Sequence, residues 1–213
     1  MLALDHIIIS GKNAEEVSAT YGEQFSIKAV RGGEHADWGT YNYLAYFSND
    51  SYIEWLGVND LQQASSAENP LIQHLVYTLE QEVSPIPFQM ALRTNQMEQY
   101  IQHFKKENIP FTGPFHGERK KPDGTILKWR MLFPTFDFRI ESLPFLIEWE
   151  QPLNPAGLQN PQAITSVTYS GTTKERFTHI FQLHARLRNK NYIRLHNTKI
   201  RFTENGPLSF KLE

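Results

Sequence analysis

Apolar residues along the first 150 positions recur in two rhythms, every second residue and every third or fourth, and these rhythms divide the chain into predicted strands and helices. Leu4 to Ile9, with three consecutive isoleucines, is too short for a helix and rich in β-branched side chains, so a strand is expected. Ser10-Gly11 ends it. Asn13 is placed to cap a helix whose apolar stripe is Ala14, Val17 and Tyr21, with Gly22 as its stop. Alternation at Phe25, Ile27 and Ala29, then Tyr43 to Phe47, then Tyr52 to Val58, predicts three more strands. Between the first two of these, residues 32–40 carry three glycines and read as a loop of the kind that borders sites. Asn69 to Glu82, with Leu71, Ile72, Leu75, Val76 and Leu79 at helical spacing behind Pro70, predicts a connecting helix.

The same order then returns. Phe88 to Leu92 predicts a strand, and Asn95 is placed to cap a helix carrying Met97, Tyr100, Ile101 and Phe104. Ile109 to Phe115 reads as extended chain. Lys121-Pro122-Asp123-Gly124 reads as a turn, Thr125 to Phe133 as a strand and Phe145 to Glu150 as the last strand. Ile53-Glu54-Trp55 and Ile147-Glu148-Trp149 fall at the same place in the two units, and the Ile8-Ile9-Ser10 and Ala91-Leu92-Arg93 junctions align Gln89 with His6. The expected fold is therefore α+β: paired βαβββ modules, one over about residues 1–60 and one over about 86–152, curving a mixed sheet around a cavity. Residues 161–213 read as a partial third unit, a βαββ piece too small to stand alone that packs on the body or on a dimer partner.

Composition narrows the partners. Twenty-one Lys+Arg against 23 Asp+Glu give a formal charge of -2, which supplies no general attraction for nucleic acid or an anionic membrane. No window approaches the roughly 18 apolar residues of a membrane span. A small-molecule ligand is the expected partner, with a homodimer left open. Cysteine is absent, which excludes thiolate metal sites and a cysteine nucleophile. The first ten residues lack a basic segment and are broken by Asp5 and His6, unlike a secretory leader, so a cytoplasmic location is expected.

If the curved sheet brings His6, Glu54, Gln89 and Glu148 to its concave face, one imidazole, two carboxylates and an amide oxygen form a hard donor set. That set suits a six-coordinate divalent ion: zinc, nickel, manganese, magnesium or iron. Such an ion stabilises an enolate-like anion while Glu54 or Glu148 takes a proton. The bland alternatives are a hydrogen-bonded scaffold histidine beside Asp5 and carboxylates facing solvent. His35, Trp38 and Asn42 are candidates for the cavity mouth, His35 as a substrate-carboxylate or acid-base group, with Trp129 and Arg130 as their counterparts in the second module. The alternative there is a plain turn plugged by Trp38. Arg119, Lys120 and Lys121 read as a solvated hairpin tip.

Leu4-Asp5-His6-Ile7-Ile8, Gly32-Gly33-Glu34-His35, Trp38-Gly39-Thr40, Asn42, Tyr52-Ile53-Glu54 and Leu143 to Trp149 together resemble glyoxalase-like domain proteins of the vicinal oxygen chelate superfamily, over about residues 1–150. The resemblance implies paired βαβββ modules around a cavity. It also implies metal-ligand places at His6, Glu54 and Glu148, with Gln89 acceptable at the fourth. Three function classes follow. One is a metal-dependent lyase or isomerase of a small oxygenated metabolite. Another is a metal-free module that sequesters an aromatic or amphipathic molecule among Trp38, Trp55, Trp129 and Trp149. The last is an interaction protein that self-associates through its tail.

Overall fold

The computed structural model describes residues 2–81, 84–120 (backbone alone at 119 and 120), 124–151, 158–183 and 191–213. In chain order the first module contains β1 (Ala3–Ser10), α1 (Ala14–Phe25), β2 (Val30–His35), a 3₁₀ turn (Ala36–Trp38), β3 (Thr40–Phe47) and β4 (Tyr52–Val58). A linker holds α2 (Leu61–Ser65) and α3 (Pro70–Gln81). The second module contains β5 (Pro87–Arg93), α4 (Met97–Lys106), β6 (Phe111–Lys120), β7 (Ile126–Pro134) and β8 (Phe145–Trp149). After the short β9 (Gln159–Asn160) come β10 (Ile164–Tyr169), α5 (Lys174–Ile180), β11 (Tyr192–Arg194), β12 (Lys199–Phe202) and β13 (Ser209–Leu212).

The main sheet runs β2-β3-β4-β1-β5-β8-β7-β6, so the two modules mirror each other across the antiparallel β1/β5 pair. Within each module the first strand lies parallel to the last, β1 with β4 and β5 with β8. The outermost strands, β2 and β6, curl round far enough to contact each other. This is the expected α+β architecture of paired modules forming a curved mixed sheet.

Strand alternation sorts the core into two clusters. Ile7, Ile9, Ile53, Trp55, Met90, Leu92 and Leu146 point to the convex side, where they meet α1, α4 and the C-terminal unit. Ile8, Leu56, Ala91, Trp129, Met131, Phe145 and Ile147 point to the concave side, where they meet Leu71, Ile72 and Leu75 of α3. The connecting helix thus lies in the mouth of the curl and fills much of it. Each large side chain buried there contributes about 1.5–3 kcal/mol relative to exposure.

Several local expectations are corrected. The first helix continues past Gly22 to Phe25 and ends in a left-handed Ser26 (φ 53°), so the strand expected at Phe25 to Ala29 does not form. The strand begins instead at Val30, and of the glycine-rich stretch read as a loop, residues 32–35 belong to β2 and Ala36–Trp38 to the 3₁₀ turn. Gly39 closes the following turn at φ 61°, and a Cβ there would lie 2.5 Å from the Asp60 carbonyl oxygen. That contact fixes the turn carrying Trp38. Asn95 does not cap α4, because the cap position is Gln96 and has no capping side chain. In the C-terminal unit the sequence pattern predicts a helix over Thr173 to Ala185, whereas α5 is capped by Thr173 and stops at Ile180. The Lys121-Pro122-Asp123 turn and residues 184–185 of the helix predicted in the C-terminal unit lie outside the described residues, as do the side chains of the 119–121 basic cluster.

The C-terminal unit forms a second sheet, β11-β12-β10-β13, packed on the convex side of the first. Asn197 continues the pairing of β1 with a side chain: its Oδ1 accepts from Leu4 N–H and its Nδ2 donates to Leu4 O, each at 2.9 Å. Asn160 ties the segment after β8 to Lys28 and Tyr46 by three such bonds.

Candidate functional site

On β1 a register shift between Leu4 and His6 turns the His6 ring into the concave side. It stacks on Tyr52 with ring centroids 4.5 Å apart and meets Phe145 edge-on. His6 Nδ1 lies 2.7 Å from Asp5 Oδ1, and Nε2 lies 3.3 Å from Glu54 Oε2. Asn42 Nδ2 donates to Glu54 Oε1 at 2.5 Å. Asp5 is fully buried, accepts from Trp149 Nε1 at 3.0 Å and lies 3.5 Å from Arg93. His35 sits at the edge of this set, 2.9 Å from Thr40 Oγ1 and 3.5 Å from Asn42 Nδ2.

Burial on its own would lower the His6 pKa, but its bonds with Asp5 and Glu54 overcome this and raise it to about 9. Burial on its own would raise that of Glu54, but His6, His35 and Asn42 pull it down to about 2. The pair is therefore imidazolium and carboxylate near neutrality. A carboxylate held so low is a weak base, far from the near-neutral value that suits general base catalysis.

This arrangement has a pH signature. The raised His6 contributes stability that is complete below its ordinary 6.5 and is lost as pH rises through about 9. The lowered Glu54 contributes stability that is complete above its ordinary 4.5 and is lost as pH falls through about 2. His74, buried against Phe88, Phe136 and Phe138, is pushed by burial down to about 4 and so stays neutral, costing stability as pH falls below 6.5. Thermal melts across this range should show wild-type stability declining on the alkaline side between 6.5 and 9, and Glu54→Gln should move that decline to lower pH.

His6, His35, Trp38, Asn42 and Glu54 from the first module face Trp129, Met131, Phe145, Ile147 and Trp149 from the second across a cavity of about 50 Å³, with Leu71 and Ile72 of α3 as its roof. All its charged and amide groups come from the first module. Two expected ligands are not brought there. Ile8 is aligned with Glu54 and Ala91 with Phe145, so the place of Glu54 is taken in the second module by Phe145. Glu148 lies three residues further on, and that odd step turns it to the convex side. There it accepts from Met97 N–H at 3.1 Å, supplying the cap that Asn95 does not, and it pairs with Arg130 at 2.6 Å. Arg130 accordingly points away from the cavity, whereas its neighbour Trp129 lines it. Gln89 is buried, its Nε2 donating to Leu143 O at 3.1 Å and its Oε1 accepting from Met90 N–H at 2.9 Å. Trp55 is buried on the convex side, leaving Trp38, Trp129 and Trp149 at the cavity. Glu148→Ala, which uncaps α4 and removes one of the two carboxylates that pair with Arg130, the other being Glu98, should lower stability by about 1–2 kcal/mol, measurable by urea unfolding.

The residues present do not fit the expected divalent ion. His6 and Glu54 bond to each other, Gln89 and Glu148 are engaged elsewhere, and among the described residues no group of three or more His, Cys, Asp and Glu side chains is arranged to hold a metal. The convergence of four donors is thus corrected to a two-residue ion pair with an amide beside it. No helix among the described residues is long and apolar enough to cross a membrane.

A family model described as a glyoxalase-like domain matches residues 4–185, and the chain belongs to that family. Its fold is that of the vicinal oxygen chelate superfamily. A hypothetical protein from Staphylococcus aureus is similar over 99% of this chain and 89% of its own, at 21% identity and a TM-score of 0.80. That likeness includes the C-terminal unit. A Streptomyces coelicolor methylmalonyl-CoA epimerase variant in complex with 2-nitronate-propionyl-CoA is similar over 72% of this chain and 98% of its own, at 13% identity and a TM-score of 0.50. A hypothetical protein from Bacillus halodurans covers 72% of this chain and 98% of its own, at 15% identity and a TM-score of 0.51. Among curated proteins, none matches the chain.

Proposed function

We propose that this glyoxalase-like protein binds a small amphipathic molecule without a resident metal ion, the metal-free reading among those the sequence left open. The observation that carries it is the one-sided polarity of the cavity. Hydrogen-bonding groups come from β1 to β4 and an aromatic and aliphatic wall comes from β7 and β8, so a ligand with one polar end and one apolar flank is matched on both sides. The inner cavity, at about 50 Å³, is roughly a third of one that takes benzene, so it receives only the end of such a molecule. The rest extends past His35, Trp38 and Trp129, which also line an outer cleft of about 420 Å³.

The Asn42 amide supports the same reading. Its Oδ1 is buried without a hydrogen-bond partner, an arrangement that costs about 1–3 kcal/mol until a donor arrives. A neutral ligand hydroxyl or N–H supplies that donor.

Calorimetric titration with 4-ethylphenol in a chelator-containing buffer tests the proposal. One saturable site per chain is expected, weakened about tenfold or more by Trp129→Ala. Absence of saturable binding, or binding only after a divalent ion is added, would overturn the proposal.

A further inference from the structure

The outer cleft is lined by β2 and the turn after it on one side and by β6, β7 and Glu150 on the other, and it has a chemistry distinct from that of the inner cavity. Its walls carry Glu34 and Asp37 from one side and Glu118 and Glu150 from the other, with Lys128 as the only lysine or arginine among its described lining residues. Glu34 is paired with Arg31 at 2.6 Å, and Glu118 approaches Lys128 at 3.9 Å. No ion pair engages Asp37 or Glu150 among the described residues, and both line the cleft, where four carboxylates stand against one lysine. The indoles of Trp38 and Trp129 stand where cleft and inner cavity meet, and an indole face attracts a cation.

The inner cavity asks for something different. Its one carboxylate, Glu54, is already engaged by His6 and Asn42, so no free negative charge awaits a cation inside. What remains there is the unpartnered Oδ1 of Asn42, a residue only 5% exposed, which calls for a neutral donor. An anionic ligand is disfavoured along the whole path, because it would pass the cleft carboxylates before reaching the aromatic gate.

Resting on the binding function proposed above, we infer that the ligand is a small amine. Its ammonium sits at Asp37 and Glu150, its body lies between Trp38 and Trp129, and an uncharged hydrogen-bond donor at its far end reaches Asn42 Oδ1. Cleft carboxylates select the charge and the inner amide selects the opposite end, so a molecule carrying both groups is favoured over one carrying either.

Three probes of similar shape separate this inference from the binding function itself: tyramine, 4-ethylphenol and 4-hydroxyphenylacetate, each titrated calorimetrically into the full chain. Tyramine should bind at least about tenfold more tightly than 4-ethylphenol at low salt, and 4-hydroxyphenylacetate more weakly than either. The tyramine preference should shrink toward unity in the Asp37→Asn/Glu150→Gln variant and as ionic strength rises, since exposed charges are screened. A ratio near one in the wild type, a preference for the anion, or a cation preference that survives the double substitution would overturn the inference while leaving the neutral probe's binding in place. If none of the three binds, the proposed binding function falls, and the inference with it.

Discussion

His6→Leu should lower unfolding free energy by about 3–5 kcal/mol, because it leaves buried Glu54 without its cationic partner and Asp5 with only Trp149 and Arg93. For a chain of this size that corresponds to a fall in Tm of about 6–20 °C. The loss comes less from a missing attraction than from charge left buried and unanswered. Adding Glu54→Gln to His6→Leu should therefore recover part of the stability, since a neutral amide still accepts from Asn42 and carries no charge. A double-mutant cycle on urea unfolding reads this directly, and the coupling must be favourable to the double variant. Additive losses would mean that the two side chains are not one electrostatic unit.

The second large effect is expected in the roof. Ile72 is 1% exposed, packs in the concave cluster and lines the cavity, so Ile72→Ala removes core volume and enlarges the site in one step. A cost of about 2–5 kcal/mol is expected, the size depending on how far α3 settles into the space. The same change should let the cavity accept benzene, which the wild-type volume of about 50 Å³ is too small to hold. Stability and ligand uptake then move in opposite directions, an outcome that a merely unfolding variant cannot give. If α3 were a passive connector over the sheet, neither quantity would change.

Much of this fold was legible in the sequence because its determinants are local or repeated. The isoleucine run at β1, the α3 stripe and the second β-α-β succession are patterns that period alone reveals. The corrections come from places where the deciding partner is distant. Gly22 has the chemistry of a helix stop, yet the helix ends where Ser26 turns left-handed, and Asn95 has the chemistry of a cap, yet Glu148, some fifty residues away, takes that place.

The site shows the same division. His6 and Glu54 belong to one module with regular pairing between β1 and β4, so their meeting follows from alternation. His35, Trp38 and Asn42 also reach the cavity, carried by β2, β3 and the turn between them. Glu148 is aligned by a matching tripeptide that is out of step with strand pairing by an odd number of residues, whereas Gln89 holds the register place of His6 but spends its amide on Leu143 and Met90. In a strand such a slip exchanges the faces, so identical triplets at Ile53-Glu54-Trp55 and Ile147-Glu148-Trp149 present opposite sides. Nor could sequence show that α3 occupies the curl, since an amphipathic helix announces a buried face but not the surface that buries it. Asp37, in the turn after β2, and Glu150, just past β8, likewise share a cleft only because the curl brings the two modules together.

The proposed function has the cavity bind its ligand through one module's hydrogen-bonding groups, with no ion held between the two. Elemental analysis of protein purified without chelator or histidine tag, after exposure to nickel, zinc, manganese, magnesium and iron and then gel filtration, tests it most directly. Well below one ion per chain is expected, about a tenth or less, as from nonspecific carryover. One equivalent of a divalent ion retained by the wild type, and lost in both Glu54→Gln and Glu148→Gln, would contradict it. That result would require β8 to turn Glu148 away from α4 and into the cavity.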